Sequence, residues 1–154
     1  MNYFGLPEKE TKQNIESLNV LLANFQVYYQ NLRGLHWNIR GKRFFDLHVK
    51  FEELYNNAQL RIDEIAERVL TLGGTPLHCF EDYMAHNKLK VGKNISQDES
   101  AVELIIDSLT KLLVLERDLL IKTGDINDEG TNSMMSDLIT EQEKDIWMMK
   151  AFLG

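Results

Sequence analysis

One cysteine, Cys79, stands alone in 154 residues. It excludes an intrachain disulfide, suits a reducing compartment and reads as a small buried apolar side chain. Two prolines and nine glycines leave long stretches without helix breakers. No apolar run reaches the ~20 residues that cross a bilayer, and the first residues lack the basic-then-apolar pattern of a secretion signal. The cytoplasm is the expected location. Positive charge is in deficit as well: 17 Lys and Arg face 24 Asp and Glu, a net charge of −7, opposite in sign to a general nucleic-acid binder. A glycine-rich phosphate loop, a Ser–His–Asp pattern and Cys-x-x-Cys are all missing, as are internal repeats and low-complexity segments. The length fits one domain over residues 1–154, with a short tail at 1–7.

What is present is helical periodicity. Pro7 suits a first turn, and Glu8 and Glu10 favour the positive end of a helix dipole. A helix is predicted over Glu8–His36, with a seam at Leu18, Leu22, Phe25, Tyr29, Leu32 and His36 in steps of four and three. A turn at Asn38–Arg43, containing Gly41, reverses the chain into a second helix, Phe44–Leu72. Gly73-Gly74-Thr75-Pro76 stops that helix. The long connection Thr75–Gln97 holds a short helix around Phe80–His86. Ser96-x-x-Glu99 is a capping-box pattern opening a third long helix, Gln97–Thr123, which Gly124 stops. Its core face is Val102, Ile105/Ile106, Leu109, Leu112/Leu113 and Leu120, with Glu116 inside the seam. Thr131 or Asn132 caps the last helix, which runs to Phe152 through Met135, Leu138/Ile139, Ile146 and Met149. The fold class is therefore all-α: an antiparallel four-helix bundle with a short extra helix between helices two and three.

The chemistry lies between His36 and Glu67. Two imidazoles, His36 and His48, and three carboxylates, Glu52, Asp63 and Glu67, suit a divalent ion such as Fe(II), Mn(II) or Zn(II). With His48 at 0° on the second helix, Glu52 falls at about 40°, Asp63 at about 60° and Glu67 at about 100°. The apolar stripe of Leu47, Phe51, Leu54, Ala58, Ile62, Ile65 and Val69 falls at roughly 240–320°. Phe45 and Leu70 share the ligand stripe, so something covers it. His48 and Asp63 are about 22 Å apart along the axis, too far to bind one ion whose ligands sit at roughly 2.0–2.2 Å. Two copies of the helix, antiparallel across a two-fold axis near Asn57–Ala58, bring each His48/Glu52 end to the other's Asp63/Glu67 end and make two equal sites. Like-charged Asp63 and Glu67 at i, i+4 repel each other, which a metal or a neighbouring cation relieves. No histidine follows a Glu at three residues, the pattern of di-iron centres inside a bundle, so such a centre is not expected here.

His36-Trp37-x3-Gly41-x2-Phe44-x3-His48-x2-Phe51-Glu52-x2-Tyr55, followed by Asp63-x-Ile65-Ala66-Glu67-Arg68, resembles the signature of the Dps proteins, the miniferritins or DNA-protecting proteins of starved cells. The resemblance runs over nearly the whole chain. It implies a ferritin-like bundle assembled from two-fold dimers into a hollow dodecamer. It implies a ferroxidase that oxidises Fe(II), preferentially with hydrogen peroxide, and stores ferric mineral inside. The implied metal ligands are His36, His48 and Glu52 of one chain with Asp63 and Glu67 of its mate, where many members have Asp in place of Glu52. Zinc or manganese fits the same ligands. Trp37 resembles the tryptophan that absorbs radical equivalents beside that centre. Acidic pores near the start of the last helix admit cations in the family, and Asp125, Asp128, Glu129 and Asp137 are the matching acidic segment. DNA binding through a lysine-rich tail is a trait of some members. Here Lys9 and Lys12 are opposed by Glu8 and Glu10, so binding is expected to be weak. A second function class stays open at this point: a non-catalytic oligomeric bundle, or a nucleoid-associated protein, whose histidine–carboxylate stripe is structural.

Overall fold

A computed structural model describes residues 1–154. Five helices follow in order: α1 Glu8–Asn38, α2 Phe44–Thr71, α3 Phe80–His86, α4 Asp98–Asp125 and α5 Glu129–Leu153. The four long helices enclose one core, in which Leu18, Leu22, Phe25, Leu32, Phe51, Ile65, Leu109, Leu112, Leu119 and Met135 are almost fully inaccessible. α1 packs on α2 and α4, and α4 packs on α5. On α2 the expected stripe is buried throughout apart from Ile62, which is half-buried. On α4 the buried residue near the end is Leu119 and not Leu120. Cys79 is exposed, not buried as its type suggests, because it lies in the extended segment that leads into α3.

The ends of the helices fix their directions. Arg40 N–H donates to the Ser96 carbonyl, and Arg43 pairs with Asp98 at 2.8 Å, so α4 starts beside the start of α2. Arg68 pairs with Asp128 at 2.7 Å, setting the end of α2 against the start of α5. The long connection therefore runs the length of the bundle, the one-crossover topology of ferritin-like folds. α2 and α5 are also joined by the two-pronged Arg61–Glu141 pair, with both bonds at 3.1 Å.

A connection this long buries backbone polar groups that need partners. Three asparagines on α1 supply them. Asn19 binds Thr75 O and Leu77 N–H. Asn24 binds His86 O and Lys88 N–H. Asn31 binds Lys90 O and Gly92 N–H. Each carboxamide offers both donor and acceptor, as a strand edge does, and each bond contributes about 0.5–1.5 kcal/mol net.

Three end signals resolve differently from the sequence reading. Ser96 and Glu99 form no capping box; the residue preceding α4 is Gln97, with no side-chain cap, and the Ser96 carbonyl is taken by Arg40. α4 runs through Gly124 to Asp125, and its left-handed residue is Asn127, at φ 58°. Asparagine tolerates that conformation, and Asp128 N–H closes back on Thr123 O. The cap of α5 is Asp128, whose carboxylate accepts from Thr131 N–H and Thr131 Oγ, and not Thr131 or Asn132. The glycine stop of α2 is as expected: Gly73 has φ 90°, and Gly73 and Gly74 donate to Leu70 and Val69 carbonyls.

Candidate metal centre

α1 ends and α2 begins around the Gly41 turn, where φ is +116°, a value that favours glycine. That turn brings His36 and His48 level. Their rings stack with centroids 3.7 Å apart and planes 11° from parallel. His36 Nδ1 lies 2.6 Å from the His48 carbonyl, and His48 Nδ1 lies 2.8 Å from the His36 carbonyl. A carbonyl oxygen only accepts, so both Nδ1 atoms carry hydrogen and donate. This fixes the tautomer of both rings and leaves each Nε2 with its lone pair free for a metal. The His36 carbonyl belongs to the last turn of α1, where the N–H of Arg40, four residues on, is bound to Ser96. His48 thus also caps α1.

The three carboxylates stand on the exposed side of α2: Glu52, Asp63 and Glu67 are all solvent-facing in the single chain. Tyr55 donates to Glu52 Oε1 at 3.4 Å and meets the His36 ring edge-on at 5.3 Å. Burial first, and the Glu52 charge second, push the Tyr55 phenol up from its ordinary range. Around the carboxylates lie Phe45, 80% exposed, Leu60, 64% exposed, and Leu70, 58% exposed. An open groove of about 580 Å³ along α2 is lined by Asn56, Gln59, Leu60, Ile62, Asp63 and Ala66. No three His, Cys, Asp or Glu side chains of one chain converge to hold an ion. His36 and His48 stack at one end of the face, with Glu52 one turn further along α2, and Asp63 and Glu67 stand towards the other end. The donor set suits iron, as two imidazole nitrogens and hard carboxylate oxygens do.

Trp37 is 57% exposed and lies under the Arg33 guanidinium, 4.9 Å from its ring centre; it is not packed in the core. Of the acidic segment, Asp125, Glu129 and Asp137 are exposed, whereas Asp128 is 2% exposed and its oxygens are engaged by Arg68 and Thr131. Sequence reading also missed Glu116 as a titrating group. It is fully buried, accepts from Gln142 Nε2 at 2.6 Å, and is pushed up to about 8 by burial, against the Gln142 bond, which lowers it. Its position inside an apolar seam was the available signal.

A ferritin-like domain family matches residues 15–154. An uncharacterised protein of Haemophilus influenzae is 44% identical over 147 residues, covering 96% of this chain and 92% of that one. The DNA protection during starvation protein of Porphyromonas gingivalis is 38% identical, covering 96% of this chain and 93% of that one. Among solved structures, the Dps protein of Vibrio cholerae O1, described as a member of a broad superfamily of ferritin-like diiron-carboxylate proteins, superposes with a TM-score of 0.98. It is 45% identical, covering 100% of this chain and 97% of that one. With the bundle, the single crossover and the histidine pair in place, the chain belongs to the Dps family of ferritin-like proteins.

Proposed function

We propose that this protein is a ferroxidase and iron store, which oxidises Fe(II) with hydrogen peroxide at sites shared by two copies of the chain and retains ferric iron within an oligomeric shell. The observation that carries this reading is the divided ligand set. His36 and His48 present free Nε2 atoms beside Glu52 at one end of α2, while Asp63 and Glu67 stand about 22 Å away by helical rise. A two-fold, antiparallel pairing of α2 brings the two ends together twice. It also covers Phe45, Leu60 and Leu70, whose exposure in a single chain is otherwise unfavourable.

Iron is the substrate. The imidazoles and carboxylates hold Fe(II) with positions left for oxidant, as metal-centred redox chemistry requires. Peroxide accepts two electrons and two protons to give two waters, and two ferrous ions supply the electrons without releasing hydroxyl radical. A dodecamer of two-fold dimers is the assembly the family likeness supports. Exposed Asp125, Glu129 and Asp137 are the carboxylates suited to concentrating Fe(II) at an opening in such a shell. The buried, Arg-paired Asp128 orders the start of α5 beside them. Zinc or manganese fits the same ligands as a competitor. A net charge of −7 per chain multiplies on assembly and opposes phosphate binding, so DNA is at most a weak ligand. No helix is long and apolar enough to cross a membrane, and the cytoplasm is the proposed compartment.

The test is anaerobic Fe(II) titration of the purified oligomer followed by a stopped-flow pulse of peroxide, with His48→Ala/Asp63→Ala alongside. Saturable binding and fast oxidation are expected in the native protein, and loss of both in the variant with the assembly intact. Equal rates in the two proteins would refute the ligand assignment and leave the stripe as a structural feature of an oligomeric bundle.

A further inference from the structure

A small cavity at the waist of the four long helices lies away from the histidine stripe. It holds about 10 Å³ and has five polar residues in its wall: Tyr28, Asn57, Glu141, Gln142 and Asp145. Buried apolar side chains of the core form the rest of the wall. That volume admits about one water-sized particle. Asn57 falls about 180° from His48 around α2, so the cavity lies on the opposite side of that helix from the proposed shared centre.

The wall presents oxygen in excess. Gln142 is 3% exposed, and its Nε2 donates to Glu116 Oε1 at 2.6 Å. That bond fixes the carboxamide and leaves Oε1 as its end without a partner. Donation to a carboxylate also polarises the amide and makes its oxygen a stronger ligand. Glu141 and Asp145 stand one turn apart on α5, a like-charged pair that repels. Arg61 holds both oxygens of Glu141. Asp145 is half-buried, and Lys50, the cation that acts on it most, pairs with Glu53 at 3.6 Å. Burial first, and then the charges of Asp145, Glu141 and Glu116, push the Tyr28 phenol well up from its ordinary range. Its hydroxyl therefore stands among these carboxylates as a neutral oxygen.

Unpaired oxygens beside an apolar core are costly, and one cation satisfies several of them together. Oxygen donors alone select hard ions such as Mg(II), Ca(II) or Mn(II). Size decides among these. Ca(II) takes about six to eight oxygens at roughly 2.3–2.6 Å, whereas Mg(II) takes about six at roughly 2.0–2.1 Å and keeps several waters. A water-sized cavity with a half-buried rim suits the smaller ion. We propose that this cavity is a metal site within one chain, which takes a single hard divalent cation of Mg(II) or Mn(II) size through Gln142 Oε1, the Asp145 carboxylate and the Tyr28 hydroxyl. Glu116 is the positioning residue that turns the Gln142 oxygen into place. Only two carboxylates border the cavity, and water with neutral protein oxygens completes the shell, as in Mg(II) sites held by one or two carboxylates. All the donors come from α1 and α5 of one chain, so the site does not depend on the pairing of two copies or on the ferroxidase reading.

The experiment soaks crystals of the metal-stripped native oligomer in manganese(II) chloride and collects diffraction data at the manganese edge. In parallel, Mn(II) is titrated into the His48→Ala/Asp63→Ala oligomer in solution, and electron paramagnetic resonance reads the free ion. The same titration is run with Asp145→Asn or Gln142→Met added. An anomalous peak between Gln142, Asp145 and Tyr28 is expected in the crystal. In solution each added substitution is expected to remove one bound Mn(II) per chain, and excess Mg(II) to displace the same ion. Asp145→Asn lies at the rim and leaves the Glu116–Gln142 bond in place, so it tests the ligand without disturbing the core. Density there without anomalous signal, the mark of an ordered water, would overturn the proposal. Equal Mn(II) counts with and without Asp145→Asn would overturn it as well, a crystal peak then meaning binding at crystal concentration only.

Discussion

His36 and His48 each donate Nδ1–H to the other's backbone carbonyl while their rings stack 3.7 Å apart. The arrangement couples fold to chemistry. The carbonyl of His36 is an orphan acceptor at a helix end, and the imidazole that satisfies it comes from the first turn and a half of the next helix. The same two bonds leave both Nε2 atoms available to a metal. The α1–α2 hairpin is thus joined by both imidazoles: a change at His48 removes the cap of α1, and a change at either residue breaks a bond between the two helices as well as altering a proposed ligand.

Glu116 gives the bundle a pH signature. Its carboxyl is buried and raised to about 8 from 4.5, and within this pair its own Oε2 and Gln142 Oε1 both lack partners. A proton on Oε2 supplies the donor that this acid–amide pair lacks. Glu141 raises the group further and Arg117 lowers it. A raised folded value means that the folded chain holds a proton the unfolded chain releases, so this contribution is full below about 4.5 and falls away as pH rises through about 8. In Glu116→Gln the dependence disappears. Urea unfolding at about pH 5 and about pH 9 is expected to show native protein losing on the order of 3 kcal/mol more than the variant across that interval. Identical pH profiles would show Glu116 to be ionised in the folded state.

Asn24 is buried and holds His86 O and Lys88 N–H across more than sixty residues of sequence. Asn24→Ala leaves both groups of the long connection without partners. A loss of about 2–3 kcal/mol is expected, together with faster amide exchange from His86 to Lys90 ahead of the four long helices. Uniform exchange would show that the connection does not depend on this anchor.

Asp128 and Glu129 are neighbours with different work. Asp128→Ala breaks a buried pair with Arg68 and the cap of α5, and is expected to cost about 3–5 kcal/mol in thermal or denaturant unfolding. Exposed Glu129→Gln is expected to stay within about 0.5 kcal/mol of native and to slow iron uptake without changing peroxide-driven oxidation in sites filled beforehand. Native uptake in Glu129→Gln would remove that carboxylate from the cation path.

Much of this was legible in the sequence because helical periodicity is strong. The α2 stripe, the two-glycine stop, the range of α3 and the meeting of His36 with His48 all follow from steps of three and four residues and from a short turn. The separation of His48 and Glu52 from Asp63 and Glu67 along α2 followed from helical rise alone. What the sequence left obscure depends on contacts made far along the chain. Ser96 and Glu99 match a capping box, yet the Ser96 carbonyl is drawn to Arg40 and Asp98 to Arg43. Asp128 looked like part of an acidic loop because Arg68, its partner, lies sixty residues earlier. The α1 asparagines looked like ordinary polar positions, since the backbone groups they satisfy belong to a segment without periodicity. Asn127 replaced glycine as the left-handed residue after α4, a choice that local sequence does not settle between the two.

The shared site is tested most directly by complementation between two inactive variants. His48→Ala and Asp63→Ala chains, each assembled alone, carry a defect in every site. Co-assembled, a mixed two-fold pair combines both defects in one site and leaves the other with native His48 and native Asp63. Random pairing makes half of the pairs mixed, so about a quarter of all sites are restored. Peroxide-driven Fe(II) oxidation in the co-assembled protein is expected to return to about a quarter of the native rate, against near-background rates for either variant alone. A mixture no more active than its two components would contradict a centre built from two chains.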